Sequence, residues 1–263
     1  MRVGIIGFGR MGSAIGKSLS GTLMGNAILC ADTNLQKLKE AEKIGLRAAS
    51  SPAEIAQKCD YIFLCVKPKD LDGVLAQMRP FAVAQVFLSI AAGKRIAGIE
   101  AALGEGSQVV RVMPNIAALA RASVNVYTCR NVPAREESEV LRLLELFGKA
   151  VKMDERNFDS VTGLSGSGPA FAAYFIECLA QAGKTNGLSI EDAQTLALET
   201  VLGTAKLMKE RNLSSAQVIE MVSSPNGTTV AGRRALEAGQ FKNILRDAVS
   251  AAKKRSEELG RDE

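Results

Sequence analysis

Val3-Gly4-Ile5-Ile6-Gly7-Phe8-Gly9-Arg10-Met11-Gly12 is the stretch that decides the fold of this 263-residue chain. An apolar run predicts a strand, a Gly-x-Gly-x-x-Gly loop follows it, and a helical pattern begins at Arg10. In such a loop the first glycine makes a tight turn, the second lets the backbone approach a pyrophosphate, and the third permits close helix–strand packing. We therefore expect a dinucleotide to contact Ile6, Gly7, Phe8, Gly9, Arg10, Met11 and Gly12. The alternative is a tight glycine turn that binds nothing.

The rest of the first half alternates strand and helix patterns. The apolar runs that predict strands are Ala27–Ala31, Asp60–Val66, Val86–Ile90, Val109–Met113, Ser123–Cys129 and Lys149–Met153. This βαβ rhythm is typical of a doubly wound parallel sheet with helices on both faces. We predict an α/β fold whose Rossmann-like domain occupies residues 1–154.

From about Phe158 the strand patterns stop and long helical patterns take over. They cover Pro169–Asn186, Ser189–Arg211, Ser214–Met221, Thr229–Ala238 and Phe241–Leu259. Ser189 and Ser214 or Ser215 are predicted N-caps, and Pro169 is placed near a helix start. These patterns predict an all-helical domain over residues 155–263. Its first two helices carry more apolar surface than one small domain can hide, which favours a homodimer through these helices over a compact monomeric bundle.

Composition excludes several classes of function. The chain has no histidine, so it has no His general base, Ser-His-Asp triad or His-ligated metal. Its five cysteines are scattered, so we expect no zinc site. Free, buried thiols are expected, which indicates a reducing compartment, the cytoplasm.

The net charge of +5 is dispersed, and there is no tryptophan, so nucleic acid is not an expected partner. No apolar run is long enough for a membrane span, and no signal peptide is recognisable. Any chemistry must then use another proton source, or a cofactor that carries the difficult step.

Further cofactor contacts are expected where strands end. Asp32 follows the second strand, and an acid there binds a ribose 2′-hydroxyl, which favours NAD. Thr33, Asn34 and Lys37 offer the opposite possibility, a 2′-phosphate site and NADP. The alternative without a ligand is that Asp32 or Asn34 caps the following helix. The other expected contacts at strand ends are Val66, Lys67, Pro68, Ile90, Ala91, Ala92 and Asn115.

A second segment, Ser223-Ser224-Pro225-Asn226-Gly227-Thr228-Thr229, interrupts the helical half. Pro225 and Asn226-Gly227 predict a turn, and a helical pattern resumes immediately. The segment places hydroxyls and free backbone N–H groups at a helix N-terminus, which suits an anion. The alternative is a plain turn and cap between two helices.

Together these blocks resemble the pyrroline-5-carboxylate reductases, and the resemblance runs through essentially the whole chain. The blocks that carry it are Ile6–Gly12, Val66–Pro68, Ser89–Gly93, Arg111–Asn115, Gly163–Ala170 and Ser223–Thr229. The last two are the specific ones, because glycine loops and strand ends are shared by many dehydrogenases.

The resemblance implies hydride transfer from NADH or NADPH to the C=N carbon of 1-pyrroline-5-carboxylate, the last step of proline biosynthesis. It places the substrate at a dimer interface, on the turn that contains Gly227. Ser224 and the N–H groups of Thr228 and Thr229 would hold the carboxylate, and the Thr229 hydroxyl, as the catalytic group, would reach the ring nitrogen. It also implies that Glu155 lies near the cofactor.

Two positions depart from the family pattern. Asn226 replaces the first glycine of the usual Pro-Gly-Gly turn, and asparagine tolerates a left-handed backbone. Asp32 stands where the family often has a small polar residue, which leaves the choice between NADH and NADPH open.

Two rival functions remain at this point. A β-hydroxyacid dehydrogenase would share the glycine loop. The pattern of that group, however, has a catalytic lysine on the helix that here begins near Pro169, and Pro169–Ile176 contains no lysine. A nucleotide-sensing protein without catalysis would not need the intact Ser224–Thr229 turn. Loss of reduced-nicotinamide absorbance with pyrroline-5-carboxylate distinguishes both from a reductase.

Overall fold

The computed structural model describes residues 1–23 and 27–260. The strands within these residues are β1 (Val3–Ile6), β2 (Ile28–Ala31), β3 (Arg47–Ala48), β4 (Tyr61–Leu64), β5 (Val86–Ser89), β6 (Gln108–Met113), β7 (Ser123–Arg130) and β8 (Gly148–Lys152). In this described part they form one sheet in the order β3-β2-β1-β4-β5-β6-β7-β8. Only the β6–β7 pair is antiparallel there. The predicted doubly wound sheet is confirmed.

Helices follow most of the strands and then fill the second half of the chain. They are α1 (Arg10–Ser20), α2 (Leu35–Lys43), α3 (Pro52–Lys58), α4 (Pro68–Met78), α5 (Ile96–Leu103), α6 (Ala134–Glu145), α7 (Phe158–Val161), α8 (Gly168–Thr185), α9 (Ile190–Arg211), α10 (Ser215–Met221), α11 (Thr228–Ala238) and α12 (Phe241–Leu259). The helical C-terminal region is therefore confirmed. None of the helices in the described ranges combines the length and the apolar character that a bilayer crossing demands.

The central strands are buried on both faces of the sheet. All four residues of β1, β2, β4 and β5 are buried. Successive side chains point to opposite faces, so Phe63 joins one apolar cluster with Ile15, whereas Ile62 joins the other with Leu71. Because both faces are covered, a ligand can reach the strands only at their ends, and ligands of doubly wound sheets bind at the carboxyl ends.

Several predicted helix starts are confirmed by their hydrogen bonds. The Ser189 hydroxyl accepts from the Asp192 N–H at 3.0 Å and caps α9. Ser214, not Ser215, caps α10, and Gln217 completes a capping box with it. Pro169 lies in the first turn of α8. These caps are local patterns, which is why sequence alone finds them.

The expectation of buried thiols is wrong in part. Cys30 is buried in β2 and Cys59 at the end of α3, Cys65 and Cys129 are half-buried, and Cys178 on α8 is exposed; all five are free. Cys178 is exposed because it lies on α8, a helix of which only Ala180 is buried.

The chain forms two compact units. The first comprises Met1–Ser167 together with the chain from Ser250 onward, and the second comprises Gly168–Val249. A boundary after residue 154 stays a prediction, and the last three residues of the predicted second domain lie outside the described residues. Within the second unit, α8 and α9 pack through small residues: Gly183 lies so close to Ala193 that an added Cβ would be 3.1 Å from its side chain.

Candidate active site

The glycine loop has the geometry that its sequence predicts. Gly7 has a φ of +89°, which disfavours any side chain, and an added Cβ would lie 2.8 Å from the Cys65 carbonyl oxygen. At Gly12 an added Cβ would lie 2.0 Å from the Gly7 carbonyl oxygen. The two glycines therefore let α1 pack directly on the turn that leaves β1.

The start of α1 is open for an anion. Gly9 is the N-cap residue, no side chain caps the helix, and its first turn has no acidic residue. An added Cβ at Gly9 would meet nothing within 4 Å. Free N–H groups, the positive end of the helix dipole and open space above Gly9 fit the pyrophosphate of a dinucleotide.

Asp32 lies at the carboxyl end of β2 and is bonded to this loop. Its Oδ2 accepts from the Phe8 N–H at 2.6 Å, and its Oδ1 accepts from the Asn34 N–H at 2.8 Å. Asn34 is the cap of α2, since its side chain accepts from the Gln36 N–H at 2.9 Å. Of the two cap candidates, Asn34 is thus the one used, and Thr33 between them is exposed.

The neighbouring strand ends carry the other predicted contacts. β4 and β5 run parallel to β1 in adjacent positions, so their carboxyl ends share one edge. Lys67 is exposed and is the N-cap residue of α4, and Pro68 is in its first turn. Ile90–Ala92 follow β5, where the Ser89 hydroxyl accepts from the Ala91 N–H at 3.3 Å. The fold therefore brings the glycine loop, Val66–Pro68 and Ile90–Ala92 to the same edge of the sheet.

Asn115 uses its whole amide within the protein. Its Oδ1 accepts from the Ala117 N–H at 3.1 Å, and its Nδ2 donates to the Ser165 carbonyl at 3.2 Å. Its own N–H donates to the Ser123 hydroxyl at 2.9 Å. Asn115 thus fixes the end of β6 against the Ser165 loop, and a direct cofactor contact by this residue stays a prediction.

Glu155 lies in a charged network beside the loop that follows β5. Its Oε1 accepts from the Ile96 N–H at 2.8 Å, at the start of α5, and from Arg111 Nη1 at 3.1 Å. The Arg111 guanidinium lies over the Phe158 ring, with its carbon 4.7 Å from the ring centroid. A cavity of about 340 Å³ adjoins this network and is lined by Gly93 among others. The carboxylate thus joins three separate segments of the first unit.

The turn in the second unit forms as predicted. Asn226 has a φ of +59°, and the Gly227 N–H donates to the Ser224 carbonyl at 2.9 Å. An added Cβ at Gly227 would lie 2.3 Å from the Ser224 hydroxyl oxygen, so a side chain there would force this hydroxyl to move. The close approach places the Ser224 hydroxyl beside the start of the next helix.

The start of α11 is open like that of α1. Gly227 is its N-cap residue, no side chain caps it, and no acidic residue lies in its first turn. In the described part of the chain, no acceptor bonds the N–H of Thr228 or Thr229. These donors, with the Ser224 hydroxyl, make a cradle for a carboxylate.

Comparison with known proteins matches each half of the chain to a family of oxidoreductases. The family described as pyrroline-5-carboxylate reductase dimerisation matches residues 155–259, and the family described as NADP oxidoreductase, coenzyme F420-dependent, matches residues 2–93. The pyrroline-5-carboxylate reductase of Aquifex aeolicus is 38% identical over 98% of this chain and 97% of its own. The chain belongs to the pyrroline-5-carboxylate reductase family. The enzyme of that name from Methanosarcina acetivorans is 37% identical over 99% of this chain and 98% of its own.

Solved structures of pyrroline-5-carboxylate reductases share the fold over the full length. The Coxiella burnetii protein is 29% identical, with a TM-score of 0.93, and the alignment covers 98% of each chain. The Plasmodium falciparum protein, solved with NADP bound, is 29% identical with a TM-score of 0.86, and the alignment covers 99% of this chain and 98% of that one.

Sequence reasoning did not predict that Arg111 pairs with Glu155. Arg111 is a charged residue that the described structure buries, at 6% exposure. An arginine in the middle of an otherwise apolar strand was the available signal, since buried charges are normally paired.

Proposed function

We propose that this chain catalyses the NAD(P)H-dependent reduction of 1-pyrroline-5-carboxylate to L-proline, the last step of proline biosynthesis. The observation that carries the proposal is sequence similarity to pyrroline-5-carboxylate reductases over nearly the whole chain, with 38% identity over 98% of it in one case. The dinucleotide loop and the Ser224–Thr229 cradle supply the two binding sites that the reaction needs. A cytoplasmic location stays a prediction.

The first unit binds the nucleotide. The N–H groups at the start of α1 hold the pyrophosphate, and the open space at Gly9 admits it. The loops after β4 and β5 lie along the same edge, so Lys67 and Ala91 are within the reach of an extended dinucleotide. When bound in reduced form, the nicotinamide supplies the hydride; the protein supplies binding and orientation.

The α11 turn binds the substrate. The carboxylate of 1-pyrroline-5-carboxylate accepts hydrogen bonds from the N–H groups of Thr228 and Thr229 and from the Ser224 hydroxyl. Gly227 permits this, because any side chain there would displace Ser224. The dipole of α11 favours the negative charge at its N-terminus.

Thr229 orients the imine. Thr229 is the second residue of α11, and its hydroxyl would hydrogen-bond the ring nitrogen, either orienting it or relaying a proton. A hydroxyl is too weak an acid to ionise near neutral pH, and the sequence has no histidine to take that part. The amine that forms is itself basic, so the proton can come from solvent. Catalysis then rests on positioning and electrostatics.

The enzyme works as a homo-oligomer, which the match to a dimerisation family supports. We propose the finer arrangement, a homodimer through the C-terminal helices. Large apolar side chains are exposed on these helices in the single chain, such as Tyr174 at 67% and Leu202 at 55%. Burying such side chains would contribute about 1.5–3 kcal/mol each, and so would stabilise association.

The test is a direct assay with the purified protein. Reduced nicotinamide nucleotide is mixed with 1-pyrroline-5-carboxylate, loss of its absorbance is followed, and proline is identified by chromatography. We expect nucleotide oxidation and proline in equal amounts. Nucleotide binding without oxidation would favour the sensor. Oxidation with a β-oxo acid in place of 1-pyrroline-5-carboxylate, and none with 1-pyrroline-5-carboxylate itself, would favour the dehydrogenase.

A further inference from the structure

We infer that the nucleotide site selects NADH over NADPH, because the Asp32 carboxylate occupies the position that a 2′-phosphate needs. The inference deepens the proposed function and rests on nucleotide binding by the glycine loop. The Plasmodium falciparum reductase, solved with NADP bound, shows that a member of the family admits the 2′-phosphate. A preference in this chain must therefore come from its own residues.

Two backbone donors fix the Asp32 carboxylate in place. One oxygen accepts from the Phe8 N–H at 2.6 Å, within the glycine loop, and the other accepts from the Asn34 N–H at 2.8 Å. Bonds of this kind hold both oxygens, so turning the carboxylate aside would break two charge-assisted hydrogen bonds. Asp32 therefore cannot leave the end of β2 without disturbing the loop itself.

The fixed carboxylate can still bind a ribose. A carboxylate accepts about four hydrogen bonds, and Asp32 uses one at each oxygen, which leaves acceptor sites for ribose hydroxyls. A 2′-phosphate has no strong donor to offer and carries like charge, so the same carboxylate repels it. Asp32 thus distinguishes the two nucleotides by the group at the ribose 2′ position: it accepts a hydrogen bond from the hydroxyl of NADH and repels the phosphate of NADPH.

The negative charge at this point is not neutralised by a neighbouring cation. In the described part of the chain no lysine or arginine forms an ion pair with Asp32. Lys37, the cation nearest in sequence, is paired with Glu40 at 2.7 Å. Burial and, second, the Asp32 charge raise the pKa of the Cys30 thiol to about 12, so the field of the carboxylate reaches its surroundings.

The segment after the adjoining strand carries a further carboxylate. β3 ends at Ala48 beside β2, with Cys30 opposite Ala48. The next residues lead to Glu54, whose Oε2 accepts from both the N–H and the hydroxyl of Ser50 at 2.7 Å. Lys58 is paired with Glu54 at 2.7 Å, so these two charges balance each other.

Arg10 is the one competing candidate that the loop itself supplies, since it is exposed at the start of α1. From the first turn of α1 its guanidinium would bind the pyrophosphate, which both cofactors share. We therefore expect Arg10 to strengthen the binding of both nucleotides equally.

The experiment measures binding rather than turnover, by calorimetry with NADH and NADPH and with the fragments 5′-AMP and 2′,5′-ADP. The wild type should bind NADH more tightly than NADPH by about tenfold or more, the effect expected of a like charge at close range. Asp32→Asn keeps an acceptor for Phe8 but removes the charge, and should narrow the ratio about tenfold. Glu42→Gln, which removes one negative charge from an exposed position on α2, should leave the ratio unchanged.

Three outcomes overturn the inference: wild-type protein that binds NADPH as well as NADH, an unchanged ratio in Asp32→Asn, or selective loss of NADPH binding in Arg10→Gln. The wild-type comparison stands even if a variant fails to fold. Because no pyrroline substrate is present, a preference for NADH would survive failure of the proposed reaction. Proline formation with a preference for NADPH would instead refute the inference alone.

Discussion

Gly9 and Gly12 differ in why each must be glycine. An added methyl at Gly12 would lie 2.0 Å from the Gly7 carbonyl oxygen, whereas one at Gly9 would meet nothing within 4 Å. Gly12 is therefore required by the fold. Gly9, whose φ of −70° suits any residue, is not required by the fold, and the proposed approach of the pyrophosphate would account for a glycine there.

Alanine substitutions at the two glycines should separate these roles. Gly12→Ala should lower the free energy of unfolding by about 1–3 kcal/mol, as overpacking does. Gly9→Ala should leave it unchanged or raise it by up to about 1 kcal/mol, while nucleotide affinity falls more than about tenfold. Urea unfolding and nucleotide titration measure the two effects. Unchanged nucleotide binding in Gly9→Ala would remove the loop from the binding site.

The Thr229 hydroxyl should matter for turnover and not for the nucleotide. Thr229→Ala should lower kcat roughly a hundredfold, the scale of a lost proton-transfer or orienting group. Nucleotide affinity should stay within about twofold, because Thr229 lies on α11 and not at the nucleotide loop. Thr229→Ser, which keeps the hydroxyl, should recover most of the turnover. Equal kinetics in wild type and Thr229→Ala would disprove the assignment.

Among the secondary-structure elements, the start of α5 depends on a residue far away in sequence. Glu155 accepts from the Ile96 N–H and from Arg111, whose side chain is only 8% exposed. Glu155→Gln keeps an acceptor but removes the charge that pairs with Arg111. The free energy of unfolding should fall by about 1–3 kcal/mol, and the KM for the nucleotide should rise more than kcat falls, because the loop after β5 loses its anchor.

The neighbouring ion pair provides the matched control. Asp154 and Arg156 are bonded at 3.1 Å with side chains 68% and 82% exposed. Asp154→Asn should therefore cost about 0–1 kcal/mol in urea unfolding and leave the KM unchanged. If Glu155→Gln behaved like this control, the network would have no positioning role.

Helix α3 makes part of the stability depend on pH. Hydrogen bonds from Lys58 and then Ser50 lower the pKa of Glu54 to about 2. A carboxyl whose folded-state pKa is depressed stabilises the protein above its unfolded pKa, and this contribution is lost as the pH falls toward the folded pKa. Stability should thus decline between about pH 4.3 and pH 2. Glu54→Gln should unfold with a smaller pH dependence in that range; identical curves would contradict the prediction.

The elements also show what sequence patterns can and cannot predict. The glycine loop, the apolar strands and the caps at Ser189 and Ser214 are local patterns, and the structure confirms them. The two-residue strand β3 was missed, because it is too short to carry a period. The bonds from Asp32 to Phe8 and from Glu155 to Ile96 were missed too, since they join residues that only the folded sheet brings together.

At the scale of the whole molecule, the second unit leaves much of its apolar surface uncovered. The buried apolar residues of α8 and α9 are only Ala180, Ala193 and Ala197 in the described structure. Leu198 and Leu202 on α9 are 50% and 55% exposed, and a spacing of four puts them on one helix face. An exposed stripe of this kind is typical of a helix that packs against another chain.

Charge on this stripe should therefore break the assembly without unfolding the nucleotide domain. Leu198→Glu combined with Leu202→Glu should convert the oligomer to monomers, because each leucine forfeits about 1.5–3 kcal/mol of burial and each glutamate would have to be desolvated. Light scattering after gel filtration measures the mass. Thr200→Glu adds the same side chain to a different face of α9 and should leave the mass unchanged. A double variant that keeps the wild-type mass would show that this face is not the interface. The exposed apolar residues of α10 and α12, such as Met221 and Ile244, would then be the candidates for it.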